Sequence, residues 1–303
     1  MISERTVLIL GAGASMPFGF PSGGELKREI VSLQDGDSEL MRWLLVSGFD
    51  HKEVVNFARA LGESPFSSVD RFLEFTHGKY RRIGCAVIAT EILLKSQKLA
   101  SLRDYNWMEI FFGALAPQFE EGLTDSKLMV VTYNYDCSFE FLLWRGLQSS
   151  IEPKRAEVTF NKIKVIHLHG RIAPASDSRQ LPSVCCETIQ DSLDVQNGIR
   201  SFHEQNADMT QFEEARRAIC AAKRICFLGF GYDRVNIEHL LRGSPQPDFS
   251  DKCLCGSALD RTEVENRNVN QEFFVSEFSF GKSDWDASRF LRESGVLEKI
   301  CHL

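Results

Sequence analysis

The chain predicts an α/β fold, an open parallel sheet covered by helices on both faces, on three observations. Four short apolar runs, Thr6 to Leu10, Leu128 to Tyr133, Ile163 to Leu168 and Ile225 to Phe230, are continuously hydrophobic rather than alternating, as strands buried on both faces are. Segments of helical periodicity separate them. Each run ends in a polar or glycine-bearing cluster: Gly11-Ala12-Gly13, Asn134-Tyr135-Asp136, His169-Gly170 and Gly231-Tyr232-Asp233. Ligands of such sheets sit outside the carboxyl ends of the strands, so the four clusters are expected along one edge.

Size and composition narrow the class. With 303 residues, 43% of them hydrophobic, and nine prolines, the chain has the material for one large domain or a domain with an insertion. A formal charge of −7, from 42 acidic against 35 basic residues, gives no overall attraction to a phosphate backbone. The arginine doublets Arg81-Arg82 and Arg216-Arg217 are isolated, which argues against autonomous nucleic-acid binding. No apolar stretch approaches the roughly 20 residues that span a bilayer. Met1 to Arg5 lead straight into the first apolar run rather than into a signal peptide, and a cytoplasmic protein is expected. The nine cysteines form neither a disulfide framework nor two C-x-x-C pairs. Cys185-Cys186 and Cys253-x-Cys255 lack a matching second pair, so the cysteines read as reduced core residues and no metal is expected.

Taken in order, the first run opens into G-A-G-A-S at 11–15. Gly11 is expected at positive φ in the tight turn, Gly13 lacks the Cβ that would hold a phosphate off the backbone, and Ser15 adds a hydroxyl donor. The pattern departs from the dehydrogenase fingerprint, because Met16 stands where G-x-G-x-x-G has its third glycine and the next strand-like run begins only at Leu128. A hydride-transfer fold is therefore disfavoured, and a purely structural strand-to-helix turn stays open.

Between the first two runs, residues 35–126 have helical apolar spacing, as in Ile83, Val87 and Leu94 or Trp107, Ile110, Phe111 and Leu115. They are expected to form a helical insertion, a smaller lobe over the nucleotide edge, with Ser67-Ser68-Val69-Asp70 opening one helix. The sheet domain would then comprise 1–34 and 127–303.

The second run ends in T-Y-N-Y-D at 132–136. The Asn134 carboxamide donates and accepts, which suits a ribose hydroxyl or a water, and Asp136 can orient it. Equally, Asp136 can serve only to cap the helix beginning at Cys137 and Asn134 only to satisfy loop backbone. The third run carries I-H-L-H-G at 166–170, two histidines on one strand face with Gly170 letting the chain turn. His169, at the strand end, is the better general base, because imidazole titrates near neutrality; His167, deeper, reads as a hydrogen-bonded core histidine. Residues 171–208 show little periodicity, and Thr210 with Glu213 marks a capping box for the helix carrying Ala215, Ile219 and Ala222. The fourth run ends in L-G-F-G-Y-D at 228–233, with glycines for close backbone approach and Asp233 to bind a hydroxyl or cap the next helix.

In this order G-A-G-A-S at 11–15, G-F-P-S-G at 19–23, T-Y-N-Y-D at 132–136, H-L-H-G at 167–170 and G-F-G-Y-D at 229–233 resemble the sirtuin family, most closely its bacterial sirtuin-like branch found in antiviral defence. The resemblance implies a Rossmann-like NAD-binding sheet with a smaller lobe. It implies Gly11, Ala12, Gly13 and Ser15 around the pyrophosphate, with Pro21, Gly229, Gly231 and Asp233 in the same cofactor site. It further implies Asn134 and Asp136 near the nicotinamide ribose and as catalytic residues, and His169 as the catalytic base. The four-cysteine zinc module of protein-deacylating members is absent from the sequence. The implied activity is therefore that of an NAD glycohydrolase, with NAD as substrate, depleting NAD in an infected cell. Deacylation or ADP-ribosyl transfer to an acceptor, and a non-catalytic NAD- or ADP-ribose-sensing subunit, stay open. The implied partners are further copies of the chain, a HerA-like ATPase or an Argonaute-type protein, and no residue selects among them. The sequence has no G-x-x-x-x-G-K-[ST] phosphate loop, so a trigger would come from a partner or a small signal.

Overall fold

The structure, a computed structural model, describes residue 2 and residues 4–121, 127–172, 179–193, 210–273 and 278–297. Six strands, β1 (Thr6–Leu10), β2 (Leu128–Thr132), β3 (Lys164–His167), β4 (Arg224–Leu228), β5 (Cys253–Gly256) and β6 (Ser279–Phe280), form one all-parallel sheet in the order β3-β2-β1-β4-β5-β6. This is a Rossmann-like, doubly wound order, in which the direction of strand addition reverses between β1 and β4 and opens a crevice there. The apolar runs account for β1 to β4. The last two strands escape that criterion, because β5 is Cys-Leu-Cys-Gly and β6 only Ser-Phe.

Alternate side chains of each strand feed two apolar layers, as parallel strands covered on both faces require. Leu8, Leu10, Leu128, Val130, Cys226 and Leu228 join the helices on one face, including Gly23–Val31, His51–Glu63, Arg81–Ser96 and Ser138–Ser150. Val7, Ile9, Val131, Ile166, Ile225 and Phe227 join the other face, packed with Phe212 and Ile219 of the helix Thr210–Ala221 and with Val269 and Phe273 at the helix Glu263–Glu272. The residue before Thr210, where a cap for that helix would fall, lies outside the described residues.

Three helices of residues 35–126, Glu39–Val46, His51–Glu63 and Val69–Phe75, start at hydroxyl or carboxylate caps. Ser38 accepts from Met41 N, Asp50 from Lys52 N and Glu53 N, and Ser68 from Arg71 N, each such cap contributing about 1 kcal/mol. The helix Arg81–Ser96 is buried from Ile83 to Leu93, so its periodicity reflects a helix enclosed on nearly all sides. The helix Trp107–Glu121 anchors this segment to the sheet: the Trp107 ring stacks on Phe139 at 6.3 Å and its indole N–H donates to the carbonyl of Ala14 at 2.8 Å. One continuous apolar core thus joins these helices to the sheet. Among the described residues, no helix is long and apolar enough to cross a membrane.

Candidate functional site

A cavity of about 400 Å³ lies where the turns following β1, β2, β3 and β4 meet. It brings together Gly11, Ala12, Pro21, Asn134, Asp136, His169, Gly231 and Asp233 of the residues singled out in the sequence. Gly13, Ser15 and Gly229 are not part of its lining and stand behind it. Phe20, Gly23 and Gly24 close one side, and Ser68, Asp70 and Arg71 reach it from the helical segment.

The turn after β1 corrects one expectation. Gly11 sits at φ −113°, ψ −179°, an ordinary extended conformation, so it is not there for a positive φ. Instead, a Cβ on Gly11 would lie 2.6 Å from the carbonyl oxygen of Gly229, and one on Gly13 would lie 2.8 Å from the Cα of Gly229. Both glycines let the first turn mesh with the turn after β4, and Gly229 is the residue held at positive φ, +59°. The amides follow the same logic: Gly11 N donates to Leu228 O, Gly13 N to Gly229 O and Ala14 N to Gly11 O. Ala12 lines the cavity, and among the described residues its N–H has no hydrogen-bond partner outside its own helix.

Ser15 is also corrected. It is only 3% exposed, and its hydroxyl donates to Asp136 Oδ1 at 3.1 Å while accepting from Asn134 Nδ2 at 2.9 Å and contacting Ser138 Oγ at 3.2 Å. It therefore braces the site rather than reaching a phosphate. Asn134 Nδ2 donates a second bond to Gly11 O at 3.0 Å, so both amide hydrogens are held inward and Oδ1 is the part that remains to accept from a ligand. Asp136 also accepts from Ser138 N at 3.0 Å. Burial pushes its carboxyl pKa up, against the lowering by the hydrogen bonds from Ser138 and Ser15. Asp136 thus orients Asn134 through Ser15.

The two histidines part as their depth dictates. His169 lines the cavity with its ring 5.3 Å from that of Tyr133 and 6.2 Å, edge-on, from that of Tyr135. His167 is a core histidine: Nδ1 lies 3.0 Å from Asn134 O and Nε2 lies 2.7 Å from Glu140 Oε1. Burial works to lower its pKa, but the Glu140 charge and hydrogen bond together with the Asn134 carbonyl outweigh it and leave the imidazole raised.

Asp70 is a cavity residue that the sequence marks only as part of a helix start. Its Oδ1 accepts from Tyr135 Oη at 2.6 Å, linking the helix Val69–Phe75 to the turn after β2. Burial raises both groups, which favours the protonated forms of each. The available signal was its place two residues after the capping Ser68. Asp233, by contrast, caps: its Oδ1 accepts from Val235 N at 2.9 Å and Asn236 N at 3.3 Å. Beside it Tyr232 adopts φ +53°, uncommon for a bulky residue, held by a bond from its hydroxyl to Ser257 O at 3.2 Å.

No protein-family model matches the chain, and no curated protein matches it. Among solved structures, the structure of Sir2Tm bound to a propionylated peptide is similar to it, at 16% identity over 97% of this chain and 95% of that one, with a TM-score of 0.36.

Proposed function

We propose that the protein consumes NAD, hydrolysing the bond between nicotinamide and ribose C1′ to release nicotinamide and ADP-ribose. The reading is supported above all by the convergence of Asn134, His169 and the Ala12 amide in one cavity at the strand-order reversal, where doubly wound sheets bind dinucleotides. The sequence motifs add the sirtuin-like resemblance. Gly23 and Gly24, the first residues of the helix Gly23–Val31, line the same cavity and offer backbone amides at a helix start, which favours a diphosphate.

In this mechanism Asn134 Oδ1 accepts from a ribose hydroxyl or from the attacking water, its carboxamide held by Gly11 O and Ser15. The C1′–N bond breaks and nicotinamide leaves with the bonding pair, which neutralises its pyridinium charge. Water oxygen bonds to C1′, and its proton passes to His169 and on to solvent. The balance is NAD⁺ and water to nicotinamide, ADP-ribose and a proton. A positioned general base contributes roughly 10²- to 10⁴-fold.

The test is chromatographic quantification of NAD, nicotinamide and ADP-ribose with the purified protein and its His169→Ala and Asn134→Ala variants. NAD loss with matched release of both products, reduced by roughly 10²-fold or more in each folded variant, supports the reading. Full activity in both variants overturns the residue roles. Nicotinamide released only when an acylated peptide or protein acceptor is present replaces hydrolysis by transfer. A role in anti-phage NAD depletion, self-assembly or association with a HerA-like ATPase or Argonaute-type protein belongs to the same proposal. Repeating the assay with such a partner, and sizing the protein alone, tests these parts.

A further inference from the structure

Beneath the cavity, the chain assembles three residues that sequence spacing does not connect. Cys137 ends the turn after β2, Glu140 lies on the helix Ser138–Ser150 and His167 ends β3. All three are buried, and one ligand-type atom from each lies within 4.8 Å of the other two. We propose that Cys137, Glu140 and His167 form a structural binding site for a divalent transition-metal cation of the zinc type.

Four observations carry the proposal. First, thiolate, carboxylate and imidazole together are a zinc-type donor set, and one thiolate plus one carboxylate balance a divalent charge. Second, Glu140 is 3% exposed and its Oε2 has no hydrogen-bond partner among the described residues, a costly arrangement for a buried carboxylate that a cation relieves. Third, His167 presents Nε2 to the cluster while Nδ1 faces the carbonyl of Asn134 at 3.0 Å, the outer hydrogen bond that metal-binding histidines commonly make. Fourth, the spacing is within reach: tetrahedral ligands about 2.0–2.3 Å from zinc stand roughly 3.3–3.6 Å apart, so side-chain shifts that draw in Cys137 Sγ and part His167 Nε2 from Glu140 Oε1, now 2.7 Å away, set these atoms. Arg171, whose charge acts on Cys137 and His167, is solvent-exposed.

On binding, the thiol proton, now directed at Ile172 O at 3.9 Å, and the proton between His167 Nε2 and Glu140 leave to solvent, and the three side chains replace waters of the aqueous ion, one water keeping the fourth tetrahedral position. The metal would knit the turn after β2 to the end of β3 and hold Asn134 through its backbone carbonyl. Its role is structural, so it stands or falls independently of the NAD reading. Cysteine spacing does not reveal the site, because only one of its ligands is a cysteine.

The experiment is elemental analysis of full-length protein purified without a metal-affinity step, together with cobalt substitution. Expected is about one metal equivalent per chain, and a near-ultraviolet thiolate-to-cobalt charge-transfer band. Cys137→Ser should abolish that band, and Glu140→Gln should weaken metal affinity by roughly tenfold or more while circular dichroism shows a folded chain. Cys185→Ser with Cys186→Ser should leave metal and band intact. The proposal is overturned by a wild-type protein that neither retains metal nor gives the band with added cobalt. It is equally overturned if a folded Glu140→Gln variant keeps full affinity, or if the metal is lost with Cys185 and Cys186 instead. Should Cys137→Ser not fold, the wild-type cobalt spectrum and Glu140→Gln still decide.

Discussion

Along the wall where the turns after β1 and β4 meet, backbone packs on backbone: Gly11 and Gly13 press against Gly229, and their amides bond across the seam. Along the opposite wall, built from the turn after β2 and the helix Val69–Phe75, side chains do the joining, through Ser15–Asp136, Asn134–Ser15 and Tyr135–Asp70. The seam of the first wall, at Gly11, Gly13 and Gly229, tolerates no added atom, whereas the second wall tolerates shape changes and is sensitive to lost hydrogen bonds. A glycine-rich turn after a strand is therefore evidence of a close approach, here between two protein loops, before it is evidence of a phosphate.

The sharpest break of that contrast is Gly229→Ala. The residue sits at φ +59°, and a Cβ there would fall on the backbone N of Ala14 and lie 2.7 Å from Gly13 Cα. Positive φ and backbone overpacking together should cost about 2–4 kcal/mol, read as a lower denaturant midpoint; an unchanged midpoint would show the seam to be slack. Gly13→Ala should act in the same direction, which makes it a test of folding rather than of phosphate approach.

On the side-chain wall, Ser15→Ala removes the hinge between Asn134 and Asp136 without adding bulk. It should lower stability by about 1–3 kcal/mol, because two buried groups lose a partner. Chemical denaturation measures this, and a neutral result would mean that water or a rearranged Ser138 replaces the hydroxyl.

Asp70→Asn should do the reverse at neutral pH. Burial raises the Asp70 carboxyl above its ordinary 3.8, so the folded chain holds a proton that the unfolded chain releases. Its favourable contribution is fully present below pH 3.8 and is lost as pH rises through the raised folded value. Asn keeps an acceptor for Tyr135 and has no charge to bury. The variant should show a higher midpoint at neutral pH and a flatter stability profile over that window; a lower midpoint would mean that the ionised carboxylate is compensated in the cavity.

The smallest effect is expected for Gly231→Ala, since a Cβ there meets nothing within 4 Å. Stability should change by no more than about 0.5 kcal/mol. Because Gly231 lines the cavity, NAD affinity measured by calorimetry should fall nevertheless, and unchanged affinity would place the ligand away from this turn.

Strand cores were legible because continuous apolar runs at β1 to β4 have few other uses in a chain of this length. The long helices Arg81–Ser96 and Trp107–Glu121 were legible from their spacing. Strands β5 and β6 were not, being four and two residues long, with cysteines and a glycine in place of branched residues. At the site, the order of polar clusters after the strands pointed to Asn134, Asp136 and His169, because parallel topology forces strand ends together. Asp70 was hidden, since a helix-start aspartate looks alike whether it faces solvent or a cavity.

The sequence by itself therefore determined the parallel sheet, its two-sided burial and the edge at which polar groups gather, since these follow from local hydrophobic patterning and the short range of the backbone. Only the tertiary structure decided what each polar group does. It turned Ser15 inward, made Gly11 and Gly13 spacers against Gly229, brought Asp70 to Tyr135 and set Cys137 and Glu140 beside His167. The physical reason is that a hydrogen bond or a ligand sphere depends on distances between residues far apart in the chain, and no local pattern encodes those distances.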